Sequence, residues 1–327
     1  MDGPGGGYPR LSTTGGVGLM NAHPSLRAVS DLHVGHRGNG HVLDEIQPGH
    51  PGDWLIVAGD VAEKTAHVVD ALARLADRFE RVIWVPGNHE LWIGREDEGL
   101  TSATKYDRLV EACRAIGVDT PEDPYPLWTG PGGPAWVVPM FLLYDYSWTR
   151  LAGQSRESAL AGARQRRVVA SDEFLIDTAP YVDAVAWCRD RLVTTTTRLA
   201  RLDTAHPTVL VNHWPLLREP TRVLRHPDFA LWCGTDQTAD WHRRYRAAAC
   251  VYGHLHIPRT TVHDSVRFEE VSLGYPREWN GRGRPDPLTR QILPAPDEAQ
   301  VRWIRDRDGA PRIAAPGEMG PLLEEER

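Results

Sequence analysis

Cysteine is scarce and scattered: Cys113, Cys188, Cys233 and Cys250 are the four in 327 residues, and no two of them form a C-x-x-C pair. That spacing excludes a disulfide framework and a structural zinc knuckle, and the thiols read as core residues of a cytoplasmic protein. Long apolar runs are missing too, since no stretch approaches the roughly 20 residues a membrane span needs. The Gly-, Pro-, Ser- and Thr-rich first twenty residues have no apolar h-region. They therefore read as a disordered tail, or as a start misplaced upstream of Met20, and not as a secretory signal. There is no Lys-rich block, and a net charge of −7 leaves no electrostatic footprint for nucleic acid. A P-loop and a G-x-S-x-G elbow are absent, and the glycines from Gly15 to Gly18 lack the flanking strand a dinucleotide loop requires.

What is present is histidine, 14 residues of it, in an otherwise ordinary soluble composition that is 41% hydrophobic and 25% charged. The histidines gather where apolar runs stop. Leu26 to Ser30 reads as a short strand running into Asp31-Leu32-His33, and residues i and i+2 of an extended segment point the same way. Asp53 to Ala58 is a continuous apolar strand ending in Gly59-Asp60. A carboxylate there needs a partner; the bland alternative is an N-cap for the helix expected over 61–79, with Val68, Leu72, Leu75 and Phe79 on one face. Val82 to Val85 then enters Pro86-Gly87-Asn88-His89-Glu90, which completes a βαβ unit with a tight loop at the carboxyl edge of a sheet. Thr208 to Val211 delivers Asn212-His213, and Ala249 to Tyr252 delivers Gly253-His254-Leu255-His256.

Between these strands, helices are expected over 105–116 and 181–202, and a hairpin over 260–272 around Asp264-Ser265. The pattern breaks down over 141–180 and 214–247, which read as insertions. The expected organisation is a tail over 1–24, one domain over 25–280 carrying both insertions, and a Pro-rich, charged, loosely held extension over 281–327. His36, His41 and His263 read as surface or supporting residues.

Strand after strand ending in a residue able to bind metal is better explained by one sheet edge carrying a metal centre than by coincidence. The donors are nitrogen and oxygen without thiolate, a set that suits Mn, Fe or Zn and tolerates two ions, with Asp60 the natural bridge. In that order, D-x-H, G-D, G-N-H-E, a lone strand-end His and G-H-x-H resemble the calcineurin-like metallophosphoesterase family over about Leu26 to Val271. The resemblance implies a four-layer α-β-β-α sandwich of the α/β class and two divalent or mixed-valence ions. It also implies that Asp31, His33, His256 and Asp60 hold one ion, that Asn88, His213, His254 and Asp60 hold the other, and that His89 acts on the substrate. One departure is that Gly-Asp-Val-Ala lacks the second acid some members carry after G-D. A centre about two charges positive attracts a phosphate oxygen about 4 Å away by roughly 4 kcal/mol per charge pair at an effective dielectric near 20.

Longer segments, DWLIVAGDVAE, VIWVPGNHELW, LVNHWPLLR and VYGHLHIPRTT among them, are similar to the actinobacterial phosphopantetheinyl hydrolases within that family. This similarity implies release of 4′-phosphopantetheine from the serine of an acyl or peptidyl carrier protein, with Mn or Fe as the ions. Hydrolysis of a nucleotide or another small phosphoester is the alternative, and a metal-free scaffold is disfavoured because every ligand position is filled. Arg150, Arg156, Arg164, Arg166 and Arg167 give the first insertion a local positive balance suited to docking an acidic partner, against the plainer reading of a solvated face. Tyr144, Tyr146, Trp214 and Trp232 read first as core and second as the lining of a pantetheine groove.

Overall fold

Apolar runs such as Leu55 to Val57 and Val209 to Val211 form parallel strands because both of their faces are buried, which leaves no polar face to alternate with. The computed structural model describes residues 21–296 together with 303–305 and 311–313. The expected N-terminal tail falls mainly on residues 1–20, and the acidic end of the expected C-terminal extension also lies outside the described residues. In chain order the strands are β1 (Leu26–Val29), β2 (Trp54–Val57), β3 (Arg81–Trp84), β4 (Leu127–Trp128), β5 (Ala135–Pro139), β6 (Thr208–Val211), β7 (Ala247–Tyr252), β8 (Arg259–His263), β9 (Val266–Glu270), β10 (Arg290–Leu293), β11 (Trp303–Arg305) and β12 (Pro311–Ile313). The α-helices are α1 (Val42–Glu45), α2 (Thr65–Ala76), α3 (Asn88–Leu91), α4 (Ser102–Ala115), α5 (Arg156–Gln165), α6 (Asp172–Leu175), α7 (Ala184–Leu199), α8 (Trp241–Arg244) and α9 (Pro276–Arg282).

The strands form two sheets packed face to face. One has the order β10-β1-β2-β3, the other β11-β12-β8-β9-β7-β6-β5-β4. Strands β1, β2 and β3 are parallel, as are β5, β6, β7 and β9. Period-two alternation sorts their side chains: Ala28, Ile56 and Ile83 meet Val137, Val209 and Val251 between the sheets. Val57, Val82 and Trp84 face Val68 and Leu72 of α2 and Leu109 of α4, while Val138, Leu210 and Cys250 face Leu199 of α7 and Trp241 of α8. Helix, sheet, sheet, helix is the four-layer sandwich the sequence led us to expect. All four cysteines are free and buried. Among the described residues no helix is long and apolar enough to cross a membrane.

Three expectations change. Helix α2 begins at Thr65 and not at 61, because the Val61 amide donates to Glu90 Oε1 (2.7 Å) and so belongs to the loop that carries Asp60. The first insertion holds α5, started by Ser155 accepting from the Ser158 amide; its buried residues are Ala159 and Ala163, too small to mark an apolar stripe in the sequence. Residues 290–293 form β10, antiparallel to β1 with Leu293 opposite Leu26, so this part of the expected loose extension closes a sheet edge. Helix α4 is close to expectation, capped by Thr101, and α7 is shortened to the stretch that Asp183 starts by accepting from the Ala186 amide.

Candidate metal centre

Parallel strands deliver their carboxyl ends to one edge, and here that edge is shared by both sheets. Strands β1, β2 and β3 hand on Asp31 and His33, Asp60, and Asn88 and His89; β6 and β7 hand on His213, His254 and His256. Asp31, His33, Asp60, His254 and His256 have φ of 53°, 42°, 54°, 71° and 55°. Left-handed backbone at a non-glycine residue costs on the order of 1 kcal/mol or more and persists only where the surroundings enforce it. Its effect is to turn the chain sharply as each strand ends. Two glycines permit the close approach: a Cβ on Gly87 would run into Asp60 Oδ1, and one on Gly253 into Ser30 Oγ and Asp31 Oδ2.

The side chains meet as two groups around Asp60. Asp31, His33, Asp60 and His256 each offer a ligand atom within 4.8 Å of the others. His256 Nε2 lies 2.9 Å from Asp31 Oδ1 and 3.2 Å from His33 Nε2. On the other side of Asp60, His213 Nε2 is 3.4 Å from Asp60 Oδ2 and 3.2 Å from Asn88 Oδ1, and His254 Nδ1 is 3.1 Å from the same Asn88 oxygen. His89 stands beside them, its Nε2 3.8 Å from Asp60 Oδ2. All eight residues singled out in the sequence converge. Among the described residues Asp31, Asp60 and His213 are almost wholly shielded from solvent.

Charge in this cluster is uneven. Burial alone would raise both carboxyls, but His256 and His213 hold Asp31 well below the usual range, and His213 and His89 do the same for Asp60. Burial pulls His33 down to about 3, and burial with the neighbouring His213 charge pulls His254 to about 3, so both rings stay neutral with lone pairs available. Burial would also lower His213, yet Asp60 lifts it to about 9; His256 is likewise raised, by Asp31 and Glu278. Two buried anions thus draw protons onto imidazoles in the absence of another cation. Among the described residues His33 Nδ1 and His254 Nε2 have no hydrogen-bond partner. This N/O donor set, closed on a buried carboxylate, fits divalent ions.

Several residues that shape the centre were not singled out in the sequence. One is Glu63, three positions beyond Asp60 in G-D-V-A-E, whose Oε1 lies 3.3 Å from His89 Nδ1. Against the lowering effect of burial, Asp60 and Glu63 raise the pKa of His89. Glu90 accepts from the amides of Asp60, Val61 and Gly87 and so ties the β2 loop to the β3 loop. Asp172 Oδ1 accepts from Asn88 Nδ2 (2.9 Å) and Trp92 Nε1 (2.8 Å), which turns the Asn88 carbonyl oxygen inward. Glu278 Oε2, 2.7 Å from His256 Nδ1, and the Ala58 carbonyl, 2.8 Å from His213 Nδ1, orient those rings in the way acceptors orient metal-binding imidazoles. Lys105 is fully buried and donates to the carbonyls of Glu63 and Trp92 and to Asp97, bracketing His89 between Glu63 and the Trp92 ring.

The centre opens into a cavity of about 330 Å³ whose walls include His89, Trp92, Val169 to Asp172, Phe229, Tyr275 and Arg277. Tyr144, Tyr146, Trp214 and Trp232 are buried and do not line it, so they are core and not groove. His36 and His41 are exposed, and His263 sits half-buried on β8.

Residues 25–258 match the model of the family described as calcineurin-like phosphoesterase. The chain is 54% identical over 285 residues to the [acyl-carrier-protein] phosphodiesterase PptH of Mycobacterium tuberculosis, covering 87% of this chain and 88% of the relative. It also superimposes on the crystal structure of phosphopantetheinyl hydrolase from the same organism with a TM-score of 0.81 and 55% identity, covering 86% of this chain and 98% of that one.

Proposed function

This chain belongs to the calcineurin-like phosphoesterase family, and on that premise we propose that it is a metal-dependent phosphodiesterase releasing 4′-phosphopantetheine from the serine of a holo acyl or peptidyl carrier protein. The observation that carries the hydrolytic chemistry is the buried donor set closed around Asp60. The substrate reading is supported by identity of 54% along most of the chain to a relative named for that substrate.

Asp31, His33, His256 and Asp60 would hold one ion, and Asn88, His213, His254 and Asp60 the other. We assign Mn or Fe to these positions, with Zn as the alternative, because imidazole, carboxylate and amide donors without thiolate suit them. When bound, the pair supplies positive charge to the phosphoryl oxygens and activates water at neutral pH. Everything else falls to the chain. Glu278, Asp172 and the Ala58 carbonyl hold His256, Asn88 and His213 in one orientation, so no reorganisation is needed when the phosphodiester arrives. His89 keeps Nδ1 on Glu63 and presents Nε2 to the cavity edge near Asp60, where a protonated ring donates to the departing serine oxygen. The four unpaired cysteines suit a reducing cytoplasm.

The test is the intact mass of a holo carrier protein incubated with enzyme and Mn²⁺, beside Asp60→Ala. Wild type should convert holo to apo carrier and the variant should not. Turnover of a nucleotide or aryl phosphoester with the holo carrier untouched would transfer the assignment to a small-molecule phosphoesterase.

A further inference from the structure

On the carrier-protein reading above, the protein part of the substrate must also find a place on this chain. In a holo carrier protein the scissile phosphodiester joins the arm to a serine oxygen, so the phosphorus lies only three covalent bonds, about 4 Å, from that residue's Cα. Asp60, His89, His254 and His256 line the cavity, and Asp60 is almost wholly buried in its wall. Bringing that phosphorus to them presses the carrier's own surface against the rim.

On one side the rim is the end of the first insertion. Residues Val169 to Asp172 line the cavity, and α6 continues from them to Phe174. Val169, in the cavity wall, is 41% exposed, and Phe174, two residues beyond Asp172 on α6, is 78% exposed, so two large apolar side chains stand in water where the insertion meets the cavity. The arginines beside them divide into two kinds. Arg156 is bound to Asp183 (2.7 Å) and lies over the Tyr146 ring, and Arg166 is held by both oxygens of Asp228. Arg164, with 63% of its side chain exposed, makes only a 3.9 Å contact with Glu173, and Arg167 is exposed with no ion pair among the described residues. Two cations thus stand without close carboxylate partners in a chain of net charge −7, next to exposed apolar carbon.

We propose that Arg164, Arg167, Val169 and Phe174 form the docking face for the carrier protein, which presents an acidic surface with an apolar residue beside its modified serine. Attraction between the two charged surfaces speeds and orients encounter, and burial of Phe174 slows release. The five arginines of the insertion are therefore not equivalent. Arg164 and Arg167, which no carboxylate holds closely, bind the partner, while Arg150, Arg156 and Arg166 are tied to Asp228 and Asp183 and brace the insertion.

The experiment compares wild type, Arg164→Glu/Arg167→Glu, Phe174→Ser and the control Arg201→Glu, whose exposed residue precedes β6 and so lies at the opposite edge of the sheet. Each is assayed with holo carrier protein and with a small aryl phosphodiester at two salt concentrations. The rim variants should raise KM for the carrier at least tenfold with kcat little changed, and the double variant should lose most of the salt dependence. The aryl diester should be cleaved within twofold of wild type by all, which also shows that the variants fold. An unchanged KM for the carrier, or an equal loss on both substrates, overturns the docking face while leaving the functional reading in place. A wild type that cleaves the aryl diester but not the carrier overturns both.

Discussion

Glu63 shows how much of this chemistry depends on a single neighbour. Its carboxylate faces His89 Nδ1 and, with Asp60, keeps that ring protonated to a higher pH than an ordinary histidine. A proton donor works below its pKa, so activity is lost as pH rises through it. Replacing Glu63 by Gln lowers that pKa, and the alkaline limb of the kcat/KM profile should move to lower pH, with a rate loss of about ten- to a hundredfold on a substrate whose leaving oxygen needs a proton. An aryl phosphoester, whose phenolate leaves unaided, should be affected much less; equal losses on both would mean that Glu63 only supports the loop. The residue types at the site were readable beforehand because the chemistry needs them: Asp31, Asp60, Asn88 and five histidines all stood at the ends of apolar runs. Glu63 was not, because an acid at the start of an expected helix looks like ordinary surface charge. Asp172 was hidden for a different reason, since it lies 84 residues from the Asn88 it orients.

At the scale of elements, the strand-to-loop turns set the geometry. Five of the site residues take a left-handed backbone, and Gly87 and Gly253 leave no room for a Cβ beside Asp60 and Asp31. Gly87→Ala must displace either the Asp60 carboxylate or the β3 loop. It should cost about 1–3 kcal/mol of stability, as overpacking a close contact does, and sharply lower the metal bound after purification without chelator. Denaturant unfolding and metal analysis check the two halves of that expectation, and full metal content would show that the loop gives way instead. Periodicity located β2, β3, β6 and β7 because strands buried on both faces are apolar throughout. It missed α5, whose buried residues Ala159 and Ala163 are too small to stand out, and β10, where Ile292 and Leu293 are the two apolar residues that mark an edge strand.

For the molecule as a whole, the two sheets bring separate halves of the chain to one edge. Asp31, Asp60 and Asn88 come from one sheet, His213, His254 and His256 from the other, so ions bound between them would hold the halves together. Metal should therefore raise Tm, by about 4 kcal/mol of stability when free ion is a thousandfold above its Kd. Loading near neutral pH should release protons, because in the metal-free chain Asp60 lifts His213 to about 9 and Asp31 with Glu278 raises His256, and ligand nitrogens must give up their protons to bind. Calorimetry in two buffers of different ionisation heat measures that release. The sign for stability follows: the His213–Asp60 attraction in the metal-free chain is complete below about pH 6.5 and is lost as pH rises through about 9, so chelated protein should weaken over that interval more than loaded protein. The amino-acid sequence by itself determined which residue types would gather at the candidate centre and which runs become buried strands, because ligand type and apolar pattern are local properties of the chain. Only the tertiary structure decided that Glu63 serves His89, that Asp172 and Glu278 orient the donors, and which arginines of the insertion are tied to carboxylates. Those are relations between side chains far apart in the chain or on different faces of one turn, and distance along the sequence carries no record of distance in space.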